Sequence, residues 1–114
     1  MTRRGDRVPR PADPDKWDLF AADNPAGEGW DSLCRSHPSA ARAAFDAIQR
    51  DPRHRNQRQH PLKGSLGTRS IGGRPMPQWQ YEATGGGRIW YCIDDDRHRI
   101  WITHAGAAHP KVTE

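Results

Sequence analysis

The apolar residues along the chain recur with two different periods, and each period predicts its own kind of element. Within SHPSAARAAFDAIQRDP (36–52), Ala41, Ala44, Phe45 and Ile48 recur at i, i+3, i+4 and i+7. That is the stripe of a helix burying one face. The spacing predicts a helix over 38–51, with Ser36 or Ser39 as its cap and Pro52 as its stop. Just upstream, NPAGEGWDSLCRS (24–36) carries a shorter stripe of Trp30, Leu33 and Cys34. Asn24 is placed to cap this segment and Pro25 suits its first turn, which predicts a helix over 25–36. The two helices meet at SHPS and form an αα-hairpin.

Elsewhere the period is two. QWQYEAT (78–84) alternates Trp79, Tyr81 and Ala83 against Gln78, Gln80 and Glu82, and RIWITHA (99–105) sets Ile100 and Ile102 against Trp101 and Thr103. RIWYCID (88–94) is apolar on both parities, as a strand in the middle of a sheet should be. KWDLFAAD (16–23) puts Trp17, Leu19 and Ala21 on one parity and predicts a short first strand. Residues 84–87 and 94–98 are short enough for hairpin turns, giving a β-meander. The segment RHRNQRQHP (53–61) has no pattern and reads as a loop. The glycine-punctuated stretch 62–77 touches apolar residues only at Leu62, Leu66 and Ile71, which leaves room for one or two short strands. The expected architecture is α+β: a two-helix hairpin packed on one face of a small twisted antiparallel sheet, with the other face left for a ligand.

Composition narrows this picture. Only 33% of the 114 residues are hydrophobic, and there are ten prolines and eleven glycines. The core must therefore be small and lean on the five tryptophans, each able to bury a large apolar area. Residues 1–15 have almost nothing to bury and are expected to be a disordered or loosely attached basic tail before a domain over 16–114. The net charge of +4 and a pI near 9.6 suit a polyanionic partner such as nucleic acid, with an arginine-rich soluble surface as the plain alternative. No apolar run is long enough to span a membrane, and the N-terminal residues lack the apolar stretch of a secretory signal. Cys34 and Cys92 are far apart with no CxxC spacing, so both are expected to be buried, reduced thiols in a cytoplasmic protein. The histidines form no zinc signature. Neither metal nor cofactor is expected.

The order of these pieces resembles the RelE/ParE family of toxins from toxin–antitoxin pairs. The residues carrying the resemblance are DAIQRDP (46–52), HPLKGSLG (60–67), QWQYEAT (78–84), GGGRIWYCID (85–94) and RIWITHAGAAHPK (99–111), together spanning about residues 17–111. The arginine-rich N-terminal tail and the long link GTRSIGGRPMPQ (67–78) depart from the family's usual pattern. The resemblance implies a cognate antitoxin as partner. It also implies one of two activities: cleavage of mRNA, on the ribosome in the RelE-like branch, or non-hydrolytic inhibition of DNA gyrase in the ParE-like branch. A third reading is a RelE-like domain without toxicity that survives as a binding module.

Metal-independent cleavage of RNA needs a base for the 2′-OH, a cation for charge developing on phosphorus, and an acid for the leaving oxygen. The resemblance places Arg88 at the scissile phosphate, and an ion pair with Glu82 across the 84–87 turn is the competing role. His60 stands where some members carry a carboxylate base. His104 ends the last strand, where RNA-cleaving members carry a histidine, although its parity with Ile100 and Ile102 also suits the edge of the core. His109 is a further acid candidate and Lys111 a phosphate clamp. Lys63 is expected on the RNA backbone. Tyr81 and Trp90 are candidates for stacking on a base, with core packing as their ordinary role. Proton-transfer groups at the rim of the meander favour the endoribonuclease reading, since a pure inhibitor has no use for them.

Overall fold

The computed structural model describes residues 1–11 and 13–107. The elements run β1 (Asp18–Ala21), α1 (Asn24–Ser36), α2 (Pro38–Arg50), β2 (Gln59–Pro61), a 3₁₀ turn (Gly64–Gly67), β3 (Thr68–Ile71), β4 (Arg74–Glu82), β5 (Arg88–Asp94) and β6 (Arg99–Gly106). The strand order is β1-β6-β5-β4-β2, with β3 hairpinned onto β4. The run that is apolar on both parities is indeed central, between β4 and β6.

The sheet differs from the expected one in two ways. It is mixed, because β1 pairs parallel with β6. And the basic stretch expected to be pure loop contributes β2, which pairs antiparallel with β4 through His60 opposite Gln80. No apolar signal marks β2 because its inward residue is polar. Gln59 is 1% exposed, and its amide donates to the Asp51 carbonyl and to the Tyr91 hydroxyl. Paired groups of this kind remain inside at little cost. Tyr91 in turn donates to the Pro52 carbonyl at 2.7 Å.

Both helices lie on one face of the sheet. Their buried residues, Ala26, Leu33, Ala41, Ala44 and Ile48, meet Trp79, Ile89, Tyr91, Ile93, Ile100, Ile102 and Ala105 in a single core. Caps differ from expectation. Asp23, one residue before Asn24, caps α1 by accepting from Ala26 N at 2.8 Å. At α2 the N-cap position belongs to His37, without a side-chain bond, and Pro38 fills the first turn. The stripes hold, with Phe45 half-buried against Trp30. Cys92 is buried, but Cys34 is only half-buried, and neither thiol is bridged. Burial pushes the Cys92 thiol up to about 11, which keeps it a neutral, unreactive group. Residues 1–11 and 13–15 are exposed throughout, and their hydrogen bonds are local, such as Arg3 N to the Asp6 carboxylate. No helix among the described residues is long and apolar enough to cross a membrane.

Candidate functional site

The face of the sheet away from the helices is built by the polar parity of the strands. Part of it is covered by the segment between β2 and β4. The Gln78 amide donates to the Leu66 carbonyl, and Arg69 reaches the Thr103 carbonyl at 3.4 Å and the Asp23 carboxylate at 3.3 Å. Beneath this cover Gln78 and Cys92 are buried, and Thr103 donates to Gln78 Oε1 at 2.6 Å.

The rest of that face carries the candidate chemistry. Register sets His60, Gln80, Trp90 and His104 in one cross-strand row, and Glu82, Arg88 and Gly106 in the next. Adjacent strands lie about 4.8 Å apart, so His60 and His104 are about 14 Å apart at the backbone, with Arg88 beside the middle of the row. Trp90 is fixed by donating Nε1–H to Gln80 Oε1 at 2.8 Å, and the His104 ring sits 5.6 Å from its centroid. At 8% exposure, Trp90 floors the site and offers little ring surface for a base to stack upon.

His104 reaches this face through a β-bulge. The register shifts between Trp90 and Tyr91, so Trp90 faces His104 while Tyr91 faces Ile102, and Thr103 is the extra residue. A bulge turns two successive side chains to one face. Simple alternation from Ile100 and Ile102 would have sent His104 into the core. Its Nε2 is buried without a hydrogen-bond partner among the described residues. Burial holds its pKa below the usual 6.5. This ring is therefore a neutral imidazole near pH 7, the form that accepts a proton.

Arg88 opens β5 with its side chain 12% exposed. Its Nη1 donates to the carbonyls of Thr84, Gly85 and Gly87 at 3.2, 3.4 and 3.2 Å. The same nitrogen lies 3.8 Å from Glu82 Oε1. So the 84–87 turn and the cross-strand carboxylate hold one arm of the fork, while Nε and Nη2 make no hydrogen bond among the described residues. Truncating Arg88 would thus leave turn carbonyls without their donor, so the residue is tied to the fold more closely than a simple strand start.

His60 sits mid-β2, half-buried, its Nδ1 3.1 Å from the Pro61 carbonyl. Lys63 is exposed at the start of the 3₁₀ turn. Tyr81 does not join the group: it lies on the helix side, packed against the core. His109 and Lys111 lie outside the described residues. Sequence reasoning missed Gln80, which orients Trp90, and Arg69, which straps the neighbouring segment down. The polar parity of QWQYEAT was the signal for Gln80; nothing in GTRSIGG marks Arg69. Among the described residues no cluster of three or more His, Cys, Asp or Glu is arranged to hold a metal.

No family model matches the sequence, and no curated protein matches it. Among solved structures the chain is similar to a YoeB/ParE toxin from Agrobacterium tumefaciens, with 15% sequence identity and a TM-score of 0.58. The match covers 78% of this chain and 95% of that one. With two helices on one face of a meander and Arg88 heading the central strand, the chain has the RelE/ParE-like toxin fold.

Proposed function

We propose that this protein is the toxin of a toxin–antitoxin pair and acts as a metal-independent endoribonuclease on mRNA, on the ribosome and in the cytoplasm, held in check by a cognate antitoxin. The observation that carries the reading is the juxtaposition, on one face of the sheet, of a half-committed arginine fork with an imidazole that burial keeps neutral. Arg88 meets the scissile phosphate with Nε and Nη2 and stabilises charge as it grows on the phosphoryl oxygens. His104 accepts the proton of the 2′-OH, whose oxygen attacks phosphorus. His60, from the other end of the row, returns a proton to the departing 5′-oxygen. Lys63 holds the flanking backbone, and His109 and Lys111 add donors from the segment after β6.

Because Arg88 also supports its turn, the test uses Arg88→Lys, which keeps a cation and a donor but removes the fork, beside His104→Gln. Each variant should unfold at the wild-type temperature and still bind its antitoxin. Cleavage of ribosome-bound mRNA should fall by about 100-fold or more. Full cleavage by both variants would sink the mechanism. Growth arrest by the wild type with mRNA uncut and DNA supercoiling altered would instead make the protein a gyrase inhibitor.

A further inference from the structure

On the opposite side of the sheet, between the end of α2 and the β2–β4 edge, lies a cavity of about 530 Å³ lined by Arg50, His54, Asn56, Arg58, Gln59 and Tyr81. Its size falls within the range of small-molecule sites. We propose that this cavity is a second subsite, taking one nucleotide of an RNA strand, with the phosphate on Arg50, His54 and Arg58 and the base against Tyr81. The choice of RNA over another phosphate-bearing ligand rests on the function proposed above.

The charge pattern singles the cavity out. Six arginines of the domain, Arg42, Arg53, Arg69, Arg74, Arg88 and Arg97, are each matched to a carboxylate. Of the domain's arginines that make no ion pair among the described residues, Arg50 and Arg58 open into this cavity, while Arg35, Arg55 and Arg99 do not line it. Asp51 adds one carboxylate to the lining, which accepts from the Arg53 amide at 3.1 Å and is outnumbered by the two guanidiniums. The rim is built rather than slack. The Asn56 carboxamide accepts from the amides of Arg58 and Gln59 at 2.8 and 2.9 Å. Arg58 is locked to β4 by its own carbonyl, which accepts from Glu82 N, and by its guanidinium, which donates to the Glu82 carbonyl at 3.3 Å. The floor is Gln59, fixed by its bonds to Asp51 and Tyr91. A planar wall, two unmatched guanidiniums and a histidine on a rigid rim suit a nucleotide, because arginine forks phosphate and an aromatic ring accepts a base face.

The cavity also adjoins the candidate site through a single thin element. β2 is three residues long. It sends His60 to the open face and Gln59 into this cavity, so one strand of RNA passing over the β2 edge meets both. Tyr81 thereby has a place on RNA different from the one its sequence context suggested.

The test is binding of a short, fluorescently labelled single-stranded RNA across a salt series, using the full chain. An Arg50→Gln/Arg58→Gln double variant should bind at least about tenfold more weakly at low salt. Its plot of log affinity against log salt should be shallower by about 0.7, because both arginines neutralise the same phosphate. An Arg50→Gln single variant, which touches no hydrogen bond of the rim, should lose about half of that slope and guards against misfolding of the double variant. Displacement of the RNA by adenosine monophosphate assigns the pocket to free nucleotides as well; failure to displace it assigns the pocket to a strand. Unchanged affinity and slope in both variants overturns the inference. Cleavage assays separate the two readings: loss of activity in Arg88→Lys with normal binding in Arg50→Gln/Arg58→Gln removes the pocket alone, and the reverse pattern removes the open-face site alone.

Discussion

His104 is where a single side chain reports on its surroundings most directly. Its pKa is depressed by burial, so the unfolded chain takes up a proton before the folded one does. The stability associated with the neutral ring is fully present above the ordinary pKa of about 6.5 and is lost as pH falls through the lower, folded value. Urea midpoints should therefore be flat from pH 8 to about 7 and then fall toward pH 5. His104→Gln should remove much of that fall. A variant whose midpoints track the wild type across this window would show that the ring gains its proton as readily folded as unfolded. The Arg53 guanidinium, bonded twice to Asp95 at 2.8 Å, holds that carboxyl below the usual range. Its contribution disappears only in more acidic solution, so the two effects occupy separate windows.

At the scale of the elements, α1 approaches β6 closely at Gly29. A Cβ on Gly29 would lie inside the contact radius of the Ala105 carbonyl oxygen. In an exposed helix, Gly→Ala would gain about 1 kcal/mol. Here Gly29→Ala should lower stability by a net 1–3 kcal/mol or so, because the helix must lift off the strand; thermal unfolding measures it, and a stabilised variant would contradict the packing. The elements themselves were legible to different degrees, and for physical reasons. The stripe of Ala41, Ala44 and Ile48 and the doubly apolar β5 are local patterns set by burial, and both appear where the sequence puts them. β2 was illegible because hydrogen bonds, not apolar contacts, hold Gln59 inside. The parallel β1–β6 pair joins residues about eighty positions apart by number, and no local pattern encodes a partner that distant. Of the candidate site, register puts Arg88, His60 and His104 on one face, but a bulge, which no alternation encodes, put His104 there, and the parity of Tyr81 had already aligned it with Trp79 on the core side.

For the whole molecule, Trp17 N donates to the Gln49 carbonyl and its ring stacks 3.9 Å from His98, whereas residues 1–11 and 13–15 are exposed. Removing residues 1–15 should therefore change the unfolding free energy by less than about 0.5 kcal/mol. A larger loss in denaturant titration would show that the tail supports the domain. The pairing of β1 with β6 has a further consequence in the order of synthesis. The first strand has its hydrogen-bonded neighbour in the last, and α1 seats Gly29 against that same strand. A nascent chain that has not yet released residues 99–106 from the exit tunnel has nothing for its N-terminal third to close upon. Contacts this distant in sequence make folding late and slow, so the N-terminal third waits for β6 before the sheet can close, and chains cut before residue 99 lack the strand that completes it.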